Sequence, residues 1–282
     1  VVPEEFAATH KDPKYTQAPC ISLPDKAFTC LQSIEPQEKL FEEITAAFIA
    51  KQKKIYGDES SHVYHGSVSN FGTDKSIPNM AQAASSIFSA CELADAKCIR
   101  VVQATDFEGW SDNAVQTFLN STPTGRLLIL DTEADTAPLF KKYNGYSGHN
   151  FVWCLQHNRG GTLQLHGNIG KQAIDYELAK DEYPNMVGGG LTMEGISQNY
   201  VVYQFFIEKM WNALIDPFEW ISSYATARYG ADLPQAQRAW QILLVTFYAQ
   251  PDSFMDAMKT THAITREDRL RPVFLYERPN LY

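Results

Sequence analysis

The sequence predicts an α/β fold running into an all-helical segment, and three observations carry that reading. Five short apolar runs alternate with amphipathic stretches between residues 62 and 211. After Pro217 helical spacing continues with no further strand. A polar or charged residue closes each apolar run: Asn70, Asp106, Asp131, His157 with Asn158, and Glu194. Parallel strands need a crossover, usually a helix, so the alternation implies a parallel sheet, and strands this apolar are covered on both faces. The carboxyl edge is then the functional edge, whether the sheet closes into a (β/α) barrel or stays open and doubly wound.

Taken in order, residues 1–35 read as irregular, because Pro3, Pro13, Pro19 and Pro24 prevent long helices. A helix opens at Pro36, carries Leu40, Phe41, Ile44, Phe48 and Ile55 on one face, and stops at Gly57. The first strand is expected over 62–70 (HVYHGSVSN), with a helix over 77–94. The second covers 98–107 (CIRVVQATDF), before a helix over 112–119. The third is 126–131 (RLLILD), followed by a helix through Leu139 and Phe140. The fourth is 151–156 (FVWCLQ), with a helix over 165–179. The fifth is 186–190, leading to a helix over 200–211. Two further helices, 218–229 and 235–248, carry Trp220, Tyr224, Trp240, Leu243, Leu244 and Phe247 as packing stripes. The tail after Arg266 is charged and receives no assignment.

A chain of 282 residues accommodates one large domain or two modest ones. Its formal charge is −9 and its Lys and Arg residues are scattered, so it lacks the basic stripe that nucleic acid or an anionic membrane requires. No apolar run approaches the roughly 20 residues that span a bilayer. The start, Val1-Val2-Pro3-Glu4-Glu5, has neither an initiator Met nor a leader pattern and reads as processed or truncated. Among five cysteines, Cys20 and Cys30 flank a Pro-containing loop and are candidates for a local disulfide, whereas Cys91 and Cys98 read as buried thiols. Asn120-Ser121-Thr122 is an N-glycosylation sequon, which favours a secretory route.

The stretch 186–199 (MVGGGLTMEGISQN) holds the sharpest chemical signal. It runs from an apolar strand through three glycines to a single carboxylate, Glu194, just before a helix. Elsewhere the sequence offers no GxSxG elbow, P-loop or dinucleotide fingerprint. His62 and His65 point to opposite faces of a strand, and His149, His157 and His166 fall in separate turns, so hydrogen-bonding roles are expected in place of a metal site. Carboxylate chemistry remains, and glycoside hydrolysis, with two carboxyl groups flanking the scissile bond, fits it.

Residues 126–131 (RLLILD), 150–161 (NFVWCLQHNRGG) and 193–203 (MEGISQNYVVY) resemble the signature blocks of the lysosomal-type α-N-acetylglucosaminidases, family 89 of the glycoside hydrolases. Residues 225–230 (ATARYG) are similar to the segment that opens the family's helical domain, and the similarity runs from about Cys30 to Tyr248. The resemblance implies an incomplete (β/α)8 TIM-type barrel made of the last five β/α units over residues 1–216, followed by the beginning of an all-α domain over residues 217–282. It further implies a retaining hydrolase without cofactor, acting on terminal α-linked N-acetylglucosamine of heparan sulfate-type glycans in a lysosomal or secreted setting. Self-association stays open. Position by position, Glu194 matches the family nucleophile. Trp153, His157 and Asn158 match substrate-binding blocks, with Arg159 where the family has Phe, and Asn70 matches the Asn of an Asn-Glu pair. The Glu of that pair is the general acid/base, and here Phe71 stands in its place. Neighbouring Asp74, Asp106 and Glu108 are the carboxylates from which a substitute acid would come. The alternative implied by Phe71 is a non-catalytic glycan-binding or structural remnant of the family.

Overall fold

The structure, a computed structural model, describes residues 20–21, 31–32, 39–57, 61–68, 80–157, 166–194 and 198–249. Within the stretch read as irregular, β1 (Cys20–Ile21) and β2 (Leu31–Gln32) form an antiparallel pair with Cys20 opposite Gln32. The main sheet follows the expected rhythm: β3 (Val63–His65), β4 (Ile99–Gln103), β5 (Leu127–Asp131), β6 (Asn150–Leu155) and β7 (Met186–Leu191) lie side by side in chain order. The registers Val63–Ile99 and Arg100–Leu127 are parallel, as helical crossovers demand. Five parallel strands in sequential order are an incomplete barrel arrangement, followed by helices. Two compact units divide the chain, residues 1–130 with 140–151, and residues 131–139 with 152–282.

In the first unit, α1 (Lys39–Tyr56) packs on α2 (Met80–Ala94). Phe41, Ile44 and Ile49 of α1 are buried, while Ile55, expected on the same face, is 61% exposed because it lies in the last turn. Ala83, Ala84 and Ala90 keep the buried face of α2 narrow. Between α2 and β4 the buried Asp95 accepts from Tyr64 Oη at 2.7 Å, pairs with His62 Nδ1 at 2.7 Å, and accepts the Lys97 N–H at 3.0 Å. Burial pushes this carboxyl upward, but the bonds from His62, Tyr64 and Lys97 outweigh it and hold the pKa at about 2. The folded value lies below the ordinary 3.8, so the native state gains stability above pH 3.8 and loses that gain as pH falls through about 2. Tyr64→Phe removes one donor and is expected to move the acid-unfolding midpoint to higher pH, measured by circular dichroism between pH 5 and 2; an unchanged midpoint refutes the role.

β4 runs into a 3₁₀ turn, Ala104–Phe107, and α3 (Asp112–Asn120) follows, capped by Ser111 Oγ, which accepts from Ala114 N at 3.2 Å. Asp106 is fully engaged in this turn. It accepts Ser67 Oγ at 2.8 Å, Val68 N at 3.1 Å and Gln103 N at 3.4 Å. Its carboxylate therefore ties the segment after β3 to the end of β4, a structural duty that corrects its candidacy as a substitute acid. Phe107, Trp110, Phe118 and Tyr143 pack edge to face beneath α3. His149 joins this core with its ring bonded to the Leu119 carbonyl at 2.8 Å, and burial holds its pKa below the ordinary histidine value.

The second unit builds its core around Trp153 of β6, Tyr176 of α5 (Ile169–Glu182) and Phe206 of α6 (Tyr200–Trp211), with ring centroids 5.2–5.8 Å apart. The helical run from Pro217 forms as the sequence predicts: α7 (Pro217–Tyr229) starts on Asp216, whose carboxylate accepts from Phe218 N and Glu219 N, and stops at Gly230 with φ 68°. It packs on α8 (Pro234–Val245) through Tyr224 and Trp240, 5.0 Å apart. α8 ends before the expected residue 248, so Phe247 is 52% exposed where the helical stripe placed it inside. The turn that ends α8 buries Tyr248.

Candidate active site

Within the second unit, the carboxyl end of β6 and the exit of β7 meet in a hydrogen-bonded frame. Beyond β7, Thr192 continues the pairing: its N–H donates to the Leu155 carbonyl at 3.0 Å and its hydroxyl to the Thr132 carbonyl at 2.6 Å. Of the three glycines before it, Gly188 is open and Gly189 and Gly190 sit in crowded positions. A Cβ on Gly190 would lie 3.0 Å from Cys154 Sγ and 3.1 Å from Val152 Cγ1, and one on Gly189 would collide with Met210. Gly190→Val is expected to destabilise the fold by about 1–3 kcal/mol through overpacking, read as a lowered denaturant midpoint; a wild-type midpoint would contradict the crowding.

Two residues after Thr192, Glu194 stands exposed at the strand mouth. Gln156 Nε2 donates to its Oε1 at 3.1 Å, and Gln198 Nε2 donates to its backbone carbonyl at 3.1 Å. Gln156 is itself fixed. Its N–H donates to Asp135 Oδ1 at 3.3 Å, and its carbonyl accepts the Tyr203 hydroxyl at 2.7 Å.

His157 follows in the left-handed region, φ 50°, which a β-carbon disfavours. Asp135 Oδ2 accepts its N–H at 3.0 Å, so one carboxylate bridges two successive backbone donors and secures the turn. The Tyr248 hydroxyl donates to Asn199 Oδ1 at 3.2 Å, leaving Asn199 Nδ2 to donate to His157 Nε2 at 3.1 Å. That arrangement makes Nε2 the acceptor and puts the ring proton on Nδ1. The His166 ring lies 4.5 Å away, centroid to centroid. Asp135→Ala leaves two backbone donors without their acceptor and is expected to cost about 2–4 kcal/mol of stability. Unfolding in urea checks this, and a loss below 1 kcal/mol would remove Asp135 from the frame.

Cys154, on the strand between them, is not an alternative nucleophile. Burial, and then the charges of Asp131 and Asp135, push its thiol up to about 12, so it stays protonated.

The structure thus brings Glu194 and His157 into one frame. Trp153, expected to bind substrate, is fully buried against Tyr176 and Phe206. Alternation along β6 turns it toward the helices and leaves Val152 and Cys154 facing Gly190. Asn70, Phe71 and Asn158 lie outside the described residues, as does the Cys20–Cys30 pairing. Asn120, the sequon residue, is exposed at the end of α3, and Thr122 donates its hydroxyl to the Phe118 carbonyl. Sequence reasoning missed Asp135, Gln156, Tyr203 and Tyr248. Asp135 carried a signal, a carboxylate four residues past a strand end, but its partners are fixed only by tertiary contact. Among the described residues no cluster of three or more His, Cys, Asp or Glu is placed to hold a metal.

Comparison with known proteins gives a consistent picture. The sequence matches the family described as the Alpha-N-acetylglucosaminidase (NAGLU) tim-barrel domain over residues 1–213, and the corresponding C-terminal domain over residues 220–273. It is 31% identical over 232 residues to an Alpha-N-acetylglucosaminidase from Homo sapiens, covering 79% of this chain and 31% of that protein. The fold is similar to a family 89 glycoside hydrolase from Clostridium perfringens in complex with PUGNAc, with a TM-score of 0.71, 22% identity, and coverage of 84% of this chain and 27% of that one. A second structure of the Clostridium perfringens enzyme, in complex with its substrate GlcNAc-alpha-1,4-galactose, aligns with a TM-score of 0.73 and 22% identity over 89% of this chain and 28% of that chain. The chain therefore spans about a third of the length of the curated relative it matches.

Proposed function

The chain belongs to the α-N-acetylglucosaminidase family, and from that premise we propose that it supplies the nucleophile side of a retaining glycosidase site for terminal α-linked N-acetylglucosamine. The observation that carries the proposal is Glu194, exposed at the end of β7 and held through one carboxylate oxygen by Gln156. The carboxylate is the group that attacks. A carboxylate so held loses little freedom on reaching the anomeric carbon, where it forms a glycosyl-enzyme ester as the aglycone oxygen departs. Water then opens the ester and restores Glu194. His157, expected to bind substrate, instead has a buried ring whose Nε2 accepts from Asn199, so its role is to secure the turn beside this carboxylate's support.

Both steps need a proton carrier on the opposite side of the sugar, and Phe71 stands where the family has that carboxyl group. The proposed enzyme is therefore impaired toward alkyl leaving groups, which depart as poorly stabilised alkoxides, and retains turnover of aryl glycosides. Heparan sulfate-type glycans are the proposed natural substrate, and a lysosomal or secreted setting the proposed location, with Asn120 as the glycan acceptor. Among the described residues no helix is long and apolar enough to cross a membrane. Phe71 also favours a second reading, a glycan-binding relative without turnover. The deciding assay incubates the folded chain with 4-nitrophenyl α-N-acetylglucosaminide and follows nitrophenolate release. Turnover with net retention at the anomeric carbon, read by NMR, supports the enzyme. Saturable N-acetylglucosamine binding with no release supports the binding protein and ends the enzymatic reading.

A further inference from the structure

Away from the candidate site, in the first unit, two thiols share one enclosed position. Cys91 lies in the last turns of α2 and Cys98 immediately before β4, both at 0% exposure, in one cluster with Ile49 and Phe88. The turn between them is tight: Asp95 N–H donates to the Cys91 carbonyl at 3.0 Å and Cys98 N–H to the Asp95 carbonyl at 2.9 Å, which brings the two cysteines into the same cluster. Arg100 is buried, its Nε has no hydrogen-bond partner, and its terminal nitrogens fill the space that the missing side chain of Gly66 leaves open.

We propose that Cys91 and Cys98 close into an intramolecular disulfide across the α2–β4 turn as the chain folds in an oxidising compartment. Chemically, one of the two thiols, as its thiolate, attacks one sulfur of a disulfide donor such as glutathione disulfide and releases one glutathione thiolate. The other then gives up its proton, attacks the protein sulfur of the mixed disulfide and releases the second. Two protein thiols are oxidised, one glutathione disulfide is reduced, and two protons are taken up by the two glutathiones. Because both sulfurs are enclosed, exchange belongs to the folding chain, before α2 packs over the turn.

The sequence makes the test direct. Lys97 separates the two cysteines, so trypsin cuts between them and leaves Cys98-Ile99-Arg100 as its own peptide. The 282-residue chain, secreted from eukaryotic cells, is denatured in N-ethylmaleimide, digested without reduction and analysed by mass spectrometry. Its cooperative unfolding is established first. The expected result is that tripeptide joined to the Cys91 peptide, separating on reduction, and absent from Cys98→Ala. Both cysteines recovered as separate maleimide adducts in the folded secreted protein would overturn the proposal. So would Cys91 linked to Cys20, Cys30 or Cys154.

Discussion

Glu194→Gln is expected to reduce hydrolysis of an aryl α-N-acetylglucosaminide by on the order of 10⁴-fold or more, the scale seen when a covalent nucleophile is removed. The amide retains the shape of the carboxylate and keeps an oxygen to accept from Gln156 Nε2, so the frame survives. What is lost is the negative charge and the nucleophilic oxygen, and with them the glycosyl-enzyme. Glu194 is exposed, so stability is expected to stay within about 0.5 kcal/mol of the parent. The measurement pairs kcat/KM with the urea midpoint. A variant that folds normally and still turns over the aryl glycoside would exclude Glu194 as the nucleophile. A fall in stability that parallels the fall in rate would recast it as a structural residue. Gln156→Leu is a useful companion, because it removes the donor that orients Glu194 and keeps the carboxylate; a drop in kcat larger than any change in KM is the expected signature of lost positioning.

Phe71→Glu carries the second large effect, in the opposite direction. General acid–base catalysis contributes about 10²–10⁴-fold, and a gain within that range is expected in kcat/KM toward an α-N-acetylglucosaminide with an alkyl leaving group. Toward the 4-nitrophenyl glycoside the gain in the first step is expected to be small, since nitrophenolate leaves without a proton. A new acid/base also creates a bell-shaped pH profile for the alkyl substrate, with limbs belonging to the two carboxyl groups as a pair. Equal gains on both substrates would point to improved binding and away from a restored acid. No gain in a folded variant would mean that residue 71 does not face the leaving oxygen, and the position-by-position match at Asn70 and Phe71 would fail with it.

Much of this protein was legible from residue order. Helix α6 begins and ends where its apolar spacing predicts, and α7 starts at the Asp216-Pro217 pair because a cap and a fixed φ act locally. The five strands were visible because each is a short apolar run closed by a polar residue. Their ends were less certain. β3 covers only Val63–His65 of a longer predicted run, and β4 gives way to a 3₁₀ turn at Ala104, where the Asp106 carboxylate draws the chain into a cap. Such boundaries depend on which partner a polar side chain finds, and spacing does not encode that.

The candidate site divides along the same line. Sequence patterns marked Glu194 and His157 among the polar residues that close the five strands, and the family resemblance gave them their expected roles. Only the tertiary structure made Asp135 the common acceptor for Gln156 and His157, joined Asn199 to both Tyr248 and His157, and turned Trp153 into the core. Each of those depends on which residues distant in sequence arrive at the same place. A side chain's chemical type is written in the sequence, whereas its hydrogen-bond partner and its exposure are properties of the packed fold.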